Sequence, residues 1–284
     1  MKTNEFNVTR SFKTVSKAFI LLLTVSAFGG CSDNDNEDVS AKSPIVLVHG
    51  AWQGAYVWDQ TESDLKAAGY RVSVVKLPAH GDDTTPAFQV SLKAYVDVVK
   101  AAVNNYNEPV ILIGHSLGGA VITQAASELP TKIKKLVYVA GFIPKSGKSV
   151  LDYANIDTTS LLGPAIRLSE DQTVANIDNP AVNLSNIFCQ DGTDAQKQYL
   201  VGRYKGEPTI PLGTPLNYNA ADYSAAGTKY YIHTTADKTI TYGFQQQMAT
   251  DAGITNAYTI NSGHSPFISK SSELTSLLKK IAKK

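Results

Sequence analysis

The sequence predicts an α/β architecture: a mostly parallel sheet with helices on both faces and a small helical cap. Three observations predict it. From residue 43 onward, short apolar runs alternate with helix-like segments. A Gly-x-Ser-x-Gly turn, Gly114-His115-Ser116-Leu117-Gly118, stands between the apolar run 110–113 and the helix pattern 120–126. One long stretch, residues 144–227, breaks the alternation. At 284 residues, 43% hydrophobic and 18% charged, the chain has ordinary globular composition and is long enough for one large core.

Each element follows from local pattern. Residues 45–48 (Ile-Val-Leu-Val) read as a buried strand ending at His49-Gly50. Residues 62–68 read as a helix stopped by Gly69, and 70–75 as the second strand. In 92–103, Leu92, Tyr95, Val96, Val99 and Val103 fall on one helical stripe. The third strand, 110–113, leads into the glycine-flanked serine, and 135–140 is the fourth. Strands at 229–233 and 257–260 follow, then a closing helix at 274–281 with lysines at the end its dipole favours. This places the core in residues 43–143 and 228–284. The intervening stretch carries turn clusters such as Gly206-Glu207-Pro208 and scattered apolar residues. So long a connection reads as a helical cap rather than an open loop.

The first thirty residues read as a signal peptide, with Lys2, Arg10, Lys13 and Lys17 preceding the apolar stretch 18–28. That stretch is too short to span a bilayer. Ala27-Phe28-Gly29-Gly30-Cys31 resembles a bacterial lipobox, with Phe28 as a departure. Cys31 is the expected lipidation site; an ordinary secretory peptide cut nearby is the rival reading. Residues 31–42 then form an acidic tether. The expected location is the cell envelope, lipid-anchored at the periplasmic face or outer-membrane surface.

The whole chain carries 26 Lys+Arg against 25 Asp+Glu. Removing residues 1–30 leaves a slightly acidic balance, which gives no footing for nucleic acid. With Cys31 lipidated, Cys189 has no partner, so a disulfide framework is excluded. Two decoys fail on spacing. Ser146-Gly147-Lys148-Ser149 lacks the first glycine of a phosphate loop, since position 142 is Phe142. Histidine and cysteine show no zinc spacing, and no metal is expected.

The chemistry sits in the serine turn. A serine on a sharp strand-to-helix turn is held in a strained conformation with its hydroxyl clear of the sheet. It needs a base. Of the five histidines, His264 lies in a loop after the last strand, in Gly263-His264-Ser265-Pro266-Phe267. His233 lies inside a strand and reads as structural, and His80 is a loop residue in Leu77-Pro78-Ala79-His80-Gly81. The acid expected between serine and histidine is Asp237, after the fifth core strand, with Asp251 as a distant rival. The oxyanion donors expected are the N–H groups of Leu117 and Ala51. Trp52 reads as a packing residue.

Val46-Leu47-Val48-His49-Gly50-Ala51-Trp52, the serine turn, Thr235-Ala236-Asp237-Lys238 and Gly263-His264-Ser265-Pro266-Phe267 occur in this order. Together they resemble the α/β-hydrolase superfamily, in particular plant methylesterases, hydroxynitrile lyases and bacterial pyrethroid-hydrolase-type carboxylesterases. The resemblance covers residues 43–284. It implies an α/β-hydrolase fold, no cofactor, and cleavage of a small or medium carboxylic ester by Ser116, His264 and Asp237. The lyases carry lysine immediately after the histidine, where this chain has Ser265. That departure favours ester hydrolysis over the alternative, a hydroxynitrile-lyase-like or other C–C bond enzyme. A third reading is a ligand-binding surface lipoprotein with a vestigial triad. The expected partners are an ester substrate and, through the lipid, a membrane; the oligomeric state is open.

Overall fold

The computed structural model describes residues 42–284. The expected signal segment, Cys31 and the tether up to residue 41 lie outside the described residues. Among the described residues no helix is long and apolar enough to cross a membrane.

The strands are β1 (Ile45–Val48), β2 (Val72–Val75), β3 (Val110–His115), β4 (Ile133–Val139), β5 (Ile166–Leu168), β6 (Val174–Ile177), β7 (Glu207–Pro208), β8 (Thr228–Thr234) and β9 (Asn256–Ile260). One sheet has the order β2-β1-β3-β4-β8-β9, and every pair in it is parallel. Its central strands are buried on both sides, which is why they read as continuous Val/Ile/Leu runs. Alternate residues serve opposite layers. Ile45, Leu47, Ile111, Ile113, Val137 and Val139 join Trp58, Phe267, Leu274 and Leu278 on one face. Val46, Val48, Leu112, Leu136 and Tyr138 join Val96, Val99 and Ile122 on the other.

Helix Leu92–Asn104 buries the expected stripe, and the Ser91 hydroxyl accepts from Ala94 N–H to start it. Several expected boundaries move by a few residues. The first helix begins at Asp59, directly after the turn Ala55–Trp58. Strand β2 begins at Val72 because Gly69, at φ +80, and the Tyr70 N–H bond to Leu65 O still belong to the helix terminus. The last helix, Ser271–Lys283, has an end that the sequence alone does not show. Lys135 Nζ reaches from β4 to donate to Ile281 O at 2.6 Å.

Between β4 and β8 lie short helices, among them Pro180–Phe188, Asp194–Val201 and Ala220–Ala225. A three-stranded antiparallel sheet, β5-β6-β7, accompanies them. Ala175 and Ile177 alternate inward along β6. The turn before it is closed by Asp171, whose Oδ1 accepts from Ser169 Oγ and Thr173 N. Strands of two to four residues are too short to leave a periodic signal. The phosphate-loop decoy is explained here: Ser149 caps helix Val150–Ala154 in a reciprocal pair with Asp152.

Register sets the site. Val48 pairs with Val75 and Gly114, His115 with Val139, and Thr234 with Ile260. The loops after β1, β3, β8 and β9 therefore leave one edge of the sheet, where ligands bind in open parallel sheets.

Candidate active site

Ser116 sits between β3 and helix Leu117–Glu128 at φ 53, ψ −123. For a non-glycine residue this backbone costs on the order of 1–3 kcal/mol and persists only where surroundings enforce it. The enforcement is steric. A Cβ on Gly114 would lie 2.5 Å from Gly118 O, one on Gly118 2.5 Å from His49 O, and one on Gly119 2.6 Å from Phe142 O. Only glycines let these backbones approach. Ser116 O accepts from Gly119 N–H and Phe142 N–H, which locks the turn from both sides. Leu117 is the first helical residue, so its N–H has no acceptor within the helix and lies at the positive dipole end.

His264 and Asp237 meet across the loops after β9 and β8. His264 Nδ1 donates to Asp237 Oδ2 at 2.8 Å, and both side chains are fully buried. The carboxylate is held by four further donors. Thr234 Oγ1 and Gln245 Nε2 donate to Oδ2; Thr239 N–H and Ile240 N–H donate to Oδ1. Gln245 in turn donates to Ile240 O and accepts from Thr234 N–H. The Asp237 carboxylate is thus held in one orientation beside the imidazole, whose Nδ1 it accepts from. His264 Nε2 is buried and makes no hydrogen bond. The rival Asp251 is exposed and bonded to Gln247.

His264 lies against the serine turn. His115 Nε2 donates to His264 O at 2.8 Å, and the two rings are 4.6 Å apart. Burial, then the neighbouring His264, hold the His115 pKa well below the ordinary histidine value. His115 ties the serine turn to the loop that carries His264. Phe188 packs its ring edge-on to His264 at 5.4 Å. His233 stacks on Tyr231 at 4.3 Å, away from this cluster. Cys189 is buried, and burial pushes its thiol up to about 12.

The loop after β1 passes over the serine turn. A Cβ on Gly50, the residue before Ala51, would lie 2.7 Å from Ser116 Cβ, so this loop packs directly on the serine turn. Trp52 follows at φ 59, the left-handed region that favours glycine. Three bonds hold it there. Trp52 N–H donates to Glu207 Oε2 (3.1 Å), Nε1 donates to Ala175 O (2.7 Å), and Trp52 O accepts from Lys205 N–H (3.3 Å). All three partners belong to the segment between β4 and β8. Gln53 Nε2 donates to Ser265 Oγ at 3.2 Å, tying this loop to the base loop.

Behind Trp52, Glu207 Oε2 also meets His80 Nε2 at 2.7 Å, and Glu207 Oε1 accepts from Tyr95 OH. His80 Nδ1 faces Pro78 O at 3.0 Å. Both His80 nitrogens face acceptors, so both carry protons. Burial alone would lower its pKa, but the Glu207 charge and hydrogen bond outweigh that and raise it. His49, ring to ring with His80 at 4.9 Å, is neutral: its Nε2 accepts from Leu77 N–H. Burial, then the His80 charge, lower its pKa to about 3.

The expected residues Ser116, His264, Asp237, Ala51 and Leu117 are brought together at the sheet edge. Gln53, His80 and Glu207 complete the surroundings without any motif to mark them, and Gln245 lies in the run Phe244-Gln245-Gln246-Gln247 that follows Asp237 in the family resemblance. Ser116 is 4% exposed and His264 0%, so the site is enclosed. Among the described residues no cluster of three or more metal-ligating side chains occurs.

A family model described as "Alpha/beta hydrolase family" matches residues 45–275. The chain is 28% identical over 251 residues to a putative methylesterase 11, chloroplastic, of Arabidopsis thaliana. That match covers 84% of this chain and 64% of the relative, so the chain spans a little under two thirds of that protein. It is 28% identical to methylesterase 7 of the same plant, covering 87% of this chain and 99% of that one. Among solved structures it is similar to a pyrethroid hydrolase from Sphingobium faniae JZ-2. The TM-score is 0.74 at 22% identity, covering 85% of this chain and 97% of the other, a likeness of fold.

Proposed function

The chain belongs to the alpha/beta hydrolase family, and we propose that it is a serine-dependent esterase acting on a small or medium carboxylic ester. The methylesterase and pyrethroid-hydrolase relatives support an esterase-type hydrolase. The observation that carries the finer reading is the buried His264–Asp237 pair with its unpartnered Nε2, next to the strained Ser116 turn.

Ser116 Oγ attacks the ester carbonyl while His264 Nε2 takes its proton. Asp237 stabilises the imidazolium that forms. The Ala51 and Leu117 N–H groups receive the oxyanion. The imidazolium then protonates the departing alcohol, and water deprotonated by His264 hydrolyses the acyl-enzyme. No cofactor or metal enters this sequence. Ser265, the position after the histidine, is neutral and bonded to Gln53, which favours hydrolysis over release of cyanide from a cyanohydrin. Residues 144–227 act as the cap that selects the substrate.

The test is labelling by a fluorophosphonate probe together with turnover of a panel of p-nitrophenyl and methyl esters. Wild type is expected to label and turn over, and Ser116→Ala to do neither. Labelling that persists in Ser116→Ala would sink the assignment. An unreactive wild type would favour a ligand-binding protein. Envelope anchoring through Cys31 belongs to the same proposal. Its test is incorporation of labelled palmitate, lost in Cys31→Ala.

A further inference from the structure

We propose that Glu207 is a positioning residue for the oxyanion loop, supplied by the segment between β4 and β8 rather than by the sheet that carries the triad. The proposal rests on the esterase reading above.

The starting point is Trp52. It follows Ala51 directly and holds φ 59, a conformation that costs a bulky L-residue about 1–2 kcal/mol and must be imposed from outside. Within its own loop nothing imposes it. The three bonds made by its N–H, its carbonyl and its indole all end on residues 175, 205 and 207. Of these, only the bond to Glu207 ends on a charge. The Trp52 N–H and the Ala51 carbonyl share one peptide, so the bond to Glu207 fixes the plane that follows Ala51 and with it the frame from which the Ala51 N–H projects.

Glu207 is itself held on every side. Its Oε2 receives Trp52 N–H and His80 Nε2–H, and its Oε1 receives Tyr95 OH. Both carboxylates of the two buried pairs are 0% exposed with their histidines. A charge so buried is retained only where paired and hydrogen-bonded. The bland reading is that the His80–Glu207 pair merely fastens the insertion to the core. That reading explains the His80 contact. It leaves unexplained why the same oxygen also takes the backbone N–H of the residue after the oxyanion donor.

The two readings separate kinetically. A fastening would change stability and substrate affinity. A positioning group would change the interaction made in the transition state, because an oxyanion donor is used only there. Glu207→Gln keeps the volume and removes the charge. One amide cannot accept from Trp52 N–H and His80 at Oε2 while also accepting from Tyr95.

The experiment compares wild type and Glu207→Gln on a p-nitrophenyl ester, with affinity for an aryl trifluoromethyl ketone, whose adduct with Ser116 fills the oxyanion hole. The expected result is a fall in kcat of roughly 10- to 100-fold, with KM changed less than about twofold. Ketone affinity should fall by the same factor as kcat/KM. Unchanged kcat, or a loss confined to KM, would overturn the proposal and leave the esterase reading intact. A wild type that neither labels nor turns over would overturn both. If Glu207→Gln does not fold, Tyr95→Phe, which frees Oε1 alone, is read by the same matched loss, and unchanged ketone affinity in that variant would overturn the proposal.

Discussion

Among the described residues two imidazole–carboxylate pairs lie buried, His264–Asp237 at 2.8 Å and His80–Glu207 at 2.7 Å, each at 0% side-chain exposure. Their chemistry differs because of what the other ring nitrogen meets. His264 Nε2 meets nothing, so the ring can gain and return a proton. His80 Nδ1 meets Pro78 O, so the ring is spent on holding. The carboxylates differ in the same sense. Asp237 takes its four further donors from its own neighbourhood, residues 234–245. Glu207 draws its donors from residues 52, 80 and 95, and so joins parts of the chain that are otherwise separate. Distance and burial alone do not distinguish an acid–base pair from a strut; the full donor count does.

The largest expected break is at Asp237. Asp237→Asn presents an amide to His264 Nδ1, reverses the tautomer, and should lower kcat by about 10⁴-fold, read on the best ester of the panel. Glu207→Gln falls below that, as set out above. Gln245→Leu should act mainly on stability. It leaves Thr234 N–H without its side-chain acceptor and Asp237 without one donor, a cost of about 1–3 kcal/mol. For a chain of this size each kcal/mol corresponds to about 2–4 °C in Tm, read by thermal melting.

A pH series sharpens the contrast further. The His80 pKa is raised, so its stabilisation is complete below the ordinary histidine value of about 6.5 and is lost as pH rises through the raised value. The groups facing it are Glu207, Tyr95, His49 and, at longer range, Lys205. His49 has the opposite sign. Its pKa is lowered to about 3, so the unfolded chain binds the proton first and stability falls as pH drops from about 6.5 towards 3. Melting of wild type against His80→Gln should show the alkaline decline weakened in the variant and the acid decline kept. The smallest effect is expected from Gln53→Ala. It removes one neutral bond to Ser265 and should cost about 1 kcal/mol with little change in kcat.

The sheet and the site were legible in the sequence to different depths. Strands buried on both faces announce themselves as apolar runs. The candidate residues Ser116, Asp237 and His264 are far apart in the sequence, yet they fall in order at strand ends, which is what motif and topology together can point to. Gln245 lies in the run Phe244-Gln245-Gln246-Gln247 that resembles the family's acid region, but nothing there shows that it donates to Asp237. Glu207 stands in a turn cluster, and only a contact 155 residues distant gives it a role. Trp52 was legible as a packing residue; its backbone role was not, because a positive φ at tryptophan has no compositional signature. The β5-β6-β7 sheet escaped for the same reason that short strands always do.

Trp52 has a consequence for engineering. Caps in this architecture invite transplantation, as though a specificity module could be lifted from one relative and set on another. Here Trp52, directly after Ala51, is gripped by Ala175, Lys205 and Glu207. On the reading proposed above, a graft that matched the pocket but not the grip would alter the rate of every substrate alike. A chimera of this chain that keeps the loop as it stands carries those three positions together with Trp52, His80 and Tyr95 as one unit of exchange.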